Sequence, residues 1–172
     1  TCFELLEEGI GLDAVRAGIG EVAGRFSMRW ELYPAEALAQ VAVMVSRFDH
    51  CLHDLLLRHR SGELSCEIAM IVSNHPALEP VAQQFGIPYH VFPIAKATKA
   101  EQEARELALF AEAGIDLIVL ARYMQVLSAD FIRHYEGRII NIHHSFLPAF
   151  GGARPYRQAL ERGVKLIGAT AH

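Results

Sequence analysis

From residue 41 onward, short apolar runs recur along the chain, separated by longer stretches whose apolar positions repeat every three to four residues. The runs are VAVMVS (41–46), IAMIVS (68–73), YHVFPI (89–94), IDLIVLA (115–121), RIINI (138–142) and VKLIGAT (164–170). They are apolar on both faces and rich in β-branched residues, the pattern of strands covered from two sides. Between them, helical spacing predicts helices near 49–60, 77–85, 98–113, 128–134 and 153–162. Strands alternating with helices predict an α/β domain with a doubly wound, mostly parallel sheet and right-handed crossovers. In such sheets a ligand sits beyond the carboxyl ends of the strands, near the switch in strand order. The residues that follow each strand are therefore the ones to read for chemistry.

The first part of the chain has a different rhythm. Residues 13–24 place Val15, Ile19 and Val22 at helical spacing, with Asp13 as N-cap and Gly24 as C-cap. Residues 26–33 alternate, with Phe26, Met28, Trp30 and Leu32 on one face, which predicts a half-buried strand. One helix and one strand cannot bury those faces by themselves. Residues 1–35 therefore read as the end of a small α+β module, 36–40 as a linker and 41–172 as the α/β domain. The chain starts at Thr1 and stops at His172, directly after a strand-like run. That reads as a fragment whose α/β domain is truncated at its C-terminus.

Composition narrows the classes. Of the 172 residues 52% are apolar and 21% charged, the balance of a globule with a core, so disorder is not expected. A formal charge of −4 argues against a general nucleic-acid binder, which shows a basic stripe. No apolar run approaches the roughly 18 residues that a membrane span needs, and no secretory signal is visible. The three cysteines, Cys2, Cys51 and Cys66, form no CxxC pair and read as free thiols in a reducing compartment, the cytoplasm. Their expected role is that of small buried hydrophobes.

The strand ends carry the candidate chemistry. After the first strand comes Ser46-Arg47-Phe48-Asp49-His50, with no glycine. Neither a GxGxxG turn nor a phosphate-cradling P-loop is present there, which disfavours a dinucleotide or a nucleoside triphosphate. The second strand is followed by Ser73-Asn74-His75-Pro76, polar and turn-forming. After the fourth, Arg122-Tyr123-Met124-Gln125-Val126-Leu127 is apolar for a surface loop. It reads either as the wall of a pocket for a flat ligand or as a segment packed under a neighbour. The fifth leads into Asn141-Ile142-His143-His144-Ser145-Phe146-Leu147-Pro148. Asn141 and His143 are two apart on an extended chain and share a side. An amide donor steadies an oxyanion and an imidazole moves a proton, which acyl chemistry at a carbonyl requires. The competing reading is a polar strand end whose side chains cap backbone groups. Nine histidines raise the question of a metal, and His50 and His53 lie i,i+3 near Asp54. Without an HExxH motif or a cysteine pair, no metal is expected.

The run from Asn141 to Pro148, followed by Gly151-Gly152 and by Gly168-Ala169-Thr170-Ala171-His172, resembles the formyltransferase fold family. Members of that family use 10-formyltetrahydrofolate. The segment Leu120 to Ser128 resembles its folate-pocket loop, and the resemblance spans residue 41 to the end. Within the family, Ser46-Arg47-Phe48-Asp49-His50-Cys51-Leu52 resembles the formyltetrahydrofolate deformylase branch. Where ribonucleotide transformylases carry a glycine- and asparagine-rich phosphate loop, this chain has none, as suits water as acceptor. Residues 1–33 are similar to the closing part of an ACT domain, which precedes the catalytic domain in that branch.

The resemblance implies hydrolysis of 10-formyltetrahydrofolate to formate and tetrahydrofolate, supplying formate for purine synthesis. The alternative is formyl transfer to an amine such as glycinamide ribonucleotide. It further implies that Asn141 donates to the formyl oxygen and that His143 takes part in proton transfer. Arg122, Tyr123, Met124, Gln125, Val126 and Leu127 line the pteridine pocket by the same inference, with His172 and Ser145 supporting. A catalytic aspartate is expected beyond His172. Gly151 departs from the lysine common in deformylases, a contact for which Arg122 or Arg154 could compensate. No cofactor or metal is implied. The expected partners are the folate substrate, an amino-acid effector at the ACT-like part and further copies of the chain.

Overall fold

The computed structural model describes residues 11–30, 32, 38–95, 97–143, 149, 155–164 and 168–171. Its contacts divide the chain into two units, Thr1–Ala37 and Leu38–His172. In the first unit, α1 spans Leu12–Arg25, so Asp13 lies inside the first turn, where a carboxylate suits the helix dipole, rather than at the cap. The strand expected at 26–33 does not form over residues 26–30. Instead the N–H groups of Phe26 and Met28 both donate back to the Ala23 carbonyl, at 3.3 and 2.9 Å. Phe26 and Met28 are exposed. The physical reason is that a strand persists only with a paired neighbour, and no described residue of this unit supplies one.

The second unit alternates strands and helices from β1 (Ala39–Val45) through α2 (His50–Arg60), β2 (Cys66–Ser73), α3 (Glu79–Phe85) and β3 (Tyr89–Val91). It continues with α4 (Lys99–Glu112), β4 (Leu117–Leu120), α5 (Ala129–His134), β5 (Ile139–His143), α6 (Pro155–Glu161) and β6 (Thr170–Ala171). The helix expected at 77–85 divides into a 3-10 turn at Pro76–Leu78 and α3, which ends on Gly86 at φ +70°, a left-handed cap that glycine adopts freely. Ser128 caps α5 by accepting from the Phe131 N–H at 3.1 Å.

Strand order is β3-β2-β1-β4-β5-β6. The first five strands pair in parallel, whereas β6 pairs antiparallel with β5. The expected strand at 164–170 is thus reduced among described residues to Thr170 and Ala171. The order reverses between β1 and β4, which places the switch point at the centre of the sheet.

Alternation along β1 supplies both faces of the core. Ala42 and Met44 join Phe110, Phe131 and Tyr135 on one side. Val41, Val43 and Val45 join Leu52, Leu56, Leu78 and Ala82 on the other. The register against β2 shifts between Val41 and Ala42, which face Ile68 and Met70. Ala69 is the extra residue of that bulge, and it turns Ile68 and Met70 to opposite faces although they are two apart. Fully burying one such aliphatic or aromatic side chain contributes roughly 1.5–3 kcal/mol.

Candidate active site

The switch point lies between the carboxyl ends of β1 and β4, and Ser46, 4% exposed, follows the last residue of β1 there. Its Oγ donates to Asn74 Oδ1 at 2.7 Å and accepts from the Met124 N–H at 3.0 Å. One hydroxyl thus ties together the ends of β1, β2 and β4. Ser73 extends the network: its Oγ donates to the Ser46 carbonyl at 3.4 Å and accepts from the His75 N–H at 3.0 Å. Tyr89 donates its hydroxyl to the His75 carbonyl at 2.6 Å. Buried polar groups satisfied in this way hold strand ends rigid.

The segment after β4 separates into two sets of side chains. Tyr123 is 7% exposed and its ring lies in the aromatic face of the core, while Leu127 packs against the same cluster. Met124 and Val126 point outward, Val126 at 82% exposure. The packing reading therefore holds for Tyr123 and Leu127, while Met124 and Val126 form an open apolar surface. Arg122 stands at φ +59°, a left-handed backbone unusual for a side chain with a Cβ. Its guanidinium lies 4.6 Å over the Phe48 ring. That stacking links the loop to the segment after β1.

Two acidic residues of α4 reach the loop from the core side. Glu106 is completely buried, and Tyr123 donates to its Oε1 across a long 3.5 Å. Its other oxygen, Oε2, has no hydrogen-bond partner among the described residues. Burial, with the charge of Glu103 added, pushes the Glu106 carboxyl up to about 7. The Tyr123 hydroxyl is pushed well above its usual range, chiefly by burial and then by the neighbouring carboxylates. Glu103, 5% exposed, accepts from the Ser128 N–H at 3.0 Å and faces Lys99 Nζ at 3.7 Å. Motif reading missed this pair. The available signal is spacing: 103, 106 and 110 share one helical face, and Phe110 marks that face as the buried one.

Asn141 is half-buried on β5 and pairs in register with Leu120, the last residue of β4. It therefore stands at the same carboxyl edge as the loop that begins at Ala121. The backbone of His143 pairs with Thr170 two residues further on. The His143 side chain, Ser145, Gly151, Arg154 and His172 lie outside the described residues. Among the cysteines, Cys51 and Cys66 are half-buried free thiols, and burial raises both, which is the opposite of nucleophilic activation. Cys2 lies outside the described residues. No three His, Cys, Asp or Glu side chains cluster with metal-binding geometry among the described residues. Nor is any described helix long and apolar enough to cross a membrane.

Comparison with known proteins gives consistent relatives. Residues 39–172 match the family described as formyl transferase. A protein of Synechocystis named formyltetrahydrofolate deformylase is 54% identical over 152 residues, 88% of this chain and 53% of that protein. The like-named Bacillus subtilis protein is 48% identical over 92% of this chain and 53% of its own length. The chain thus spans about half the length of the curated relatives it matches. The crystal structure of a formyltetrahydrofolate deformylase from Burkholderia mallei superposes with a TM-score of 0.87 at 52% identity, covering 96% of this chain and 59% of that one. A glycinamide ribonucleotide transformylase from Geobacillus kaustophilus is more distant, at 30% identity and TM-score 0.74, covering 79% of this chain and 74% of that one.

Proposed function

We propose, from the premise that this chain belongs to the formyl transferase family, that it is part of an enzyme that hydrolyses 10-formyltetrahydrofolate to formate and tetrahydrofolate. The observation that carries the reading is the gap in similarity between two groups of relatives that share one fold. Proteins named formyltetrahydrofolate deformylase reach 54% identity, whereas the ribonucleotide transformylase stands at 30%. The segment after β1 supports the same side, because Ser46 to His50 contains no glycine to bring backbone N–H groups around an acceptor's phosphate.

In the proposed reaction, water attacks the formyl carbon, the carbonyl electrons move onto oxygen, and the carbon–nitrogen bond breaks as the folate nitrogen gains a proton. Asn141 donates to the developing oxyanion. His143 carries the proton, together with an aspartate beyond His172. Met124 and Val126 offer the outward apolar surface against which the pteridine rests, and Tyr123 would contribute there through its backbone. The reaction as written needs no cofactor or metal. Residues 1–35 are proposed to close an ACT-like module that takes an amino-acid effector, with 36–40 as linker, in a cytoplasmic homo-oligomer that feeds formate to purine synthesis.

The test is formate release from 10-formyltetrahydrofolate by the full-length protein with no amine acceptor. Steady release, unchanged by a chelator, is the expected result. Release that starts only when glycinamide ribonucleotide is supplied would make the enzyme a transferase. Losing one oxyanion donor costs about 10²–10³ in rate, so Asn141→Ala should lower kcat by that order with KM nearly kept. Turnover within a few-fold of wild type would remove Asn141 from that role.

A further inference from the structure

The 122–128 loop is held from beneath at three points, and two of them are carboxylates on a single helix. Ser46 Oγ takes the Met124 N–H at 3.0 Å, Glu103 takes the Ser128 N–H at 3.0 Å, and Glu106 takes the Tyr123 hydroxyl at 3.5 Å. The geometry points to Glu103 and Glu106 as positioning residues of the site: from α4 they pin the two ends of this loop and so set where Met124 and Val126 stand.

The cost of the arrangement supports the assignment. Burying a carboxylate with an unpaired oxygen is unfavourable unless the group gives up its charge, and a leucine at 106 would pack without that penalty. Glu106 nevertheless sits fully buried with Oε2 unpartnered, next to a second buried acid three residues away. Both acids make a hydrogen bond to the same seven-residue loop. Arg122 supplies the reason a clamp is required. Its left-handed backbone is a strained geometry that persists only where its surroundings over-determine it. The residues immediately after it are the ones the clamp holds. The charged and titratable groups acting on Glu106 are Glu103 on its own helix and Tyr123 on the loop. Lys99 faces Glu103 and takes up its charge.

The assignment of a catalytic consequence rests on the folate reading above, but the clamp itself can be read without it. In the full-length protein, amide hydrogen exchange is followed for the peptide covering 122–128, with the peptide covering 66–73 of β2 as internal reference. Glu103→Ala and Glu106→Ala are expected to raise exchange in 122–128 tenfold or more, with 66–73 unchanged. Glu103→Gln and Glu106→Gln keep an acceptor oxygen and should restore protection to within about threefold of wild type. With 10-formyltetrahydrofolate, the alanine variants should raise KM by a larger factor than they lower kcat, because the loop contacts substrate rather than the reacting bond. Unchanged exchange in 122–128, or an equal rise in both peptides, would overturn the clamp. A selective rise in a protein whose wild type releases no formate would keep the clamp and remove the folate reading.

Discussion

The two faces of the central sheet are built from different chemistry. On the side of α2 and α3 the fully buried core is aliphatic, with Val41, Val43, Val45, Leu52, Leu56, Ile68, Ile71 and Leu78, and Phe85 and Tyr89 pack only at its margin. On the side of α4 and α5, Phe110 stands edge-on to Phe131 and Tyr135, with centroids 6.3 and 6.0 Å apart, and two buried carboxylates lie in the same layer. The first face has only packing to accomplish. The second also underlies the loop after β4, and its hydrogen bonds to that loop start from inside the core. The difference teaches that the buried acids of this fold lie where the core holds a loop from beneath, and that the face without them is built from packing.

The sharpest way to break the comparison is to damage the aliphatic face. Leu56→Ala should cost 2–5 kcal/mol, as buried leucines do, and by the same amount at pH 5.5 and pH 8 in denaturant unfolding. A pH-dependent loss would mean that the two faces are coupled. Next in size is the titration of the other face. The folded carboxyl of Glu106 sits near 7, above its unfolded value, so the folded state holds the proton more tightly. Stability is then complete below about pH 4 and falls as pH rises through 7, by up to about 3 kcal/mol. Glu106→Gln should flatten that slope between pH 5 and 8. If the slope survives the substitution, another group is responsible. The smallest effect belongs to the seam between the faces. Ser46→Ala takes the partner from Asn74 Oδ1 and from the Met124 N–H. It should cost about 1–3 kcal/mol, with little change in the pH slope. A loss below 0.5 kcal/mol would show that water replaces the hydroxyl.

Much of this architecture was legible in the pattern of apolar positions. Strands buried on both faces announce themselves as continuous runs, and the parallel order of β1 to β5 follows from the helices between them. The reading failed where local pattern met a missing partner. Phe26 to Trp30 alternates as a strand does but pairs with no described residue, and the chain closes back onto α1. Lys165 to Ile167 lie outside the described residues, and among the described residues of the last apolar run Thr170 alone pairs, antiparallel, together with Ala171 just beyond it. In the site, the loop after β4 could be located but not divided, because Tyr123 and Val126 are equally apolar in a sequence and only packing separates them. Glu103 and Glu106 were invisible as site residues for the opposite reason. On a helix, acids are read as solvated surface until the face they share with Phe110 is noticed.

The central position of β1 has a consequence for the order of assembly. Its β2 partners lie 27 or 28 residues later along the chain, but its β4 partners are 76 residues away, as the Gln40–Asp116 contact is. A ribosome adding about 5–20 residues per second leaves the β4-side edge of VAVMV open for roughly four to fifteen seconds after β1 is made. During that interval a strand whose last five residues are all buried in the finished fold presents unpaired backbone groups to any neighbouring nascent chain. The switch point of the finished fold is, in the growing polypeptide, a seam in the middle of the sheet that stays open until β4 is made.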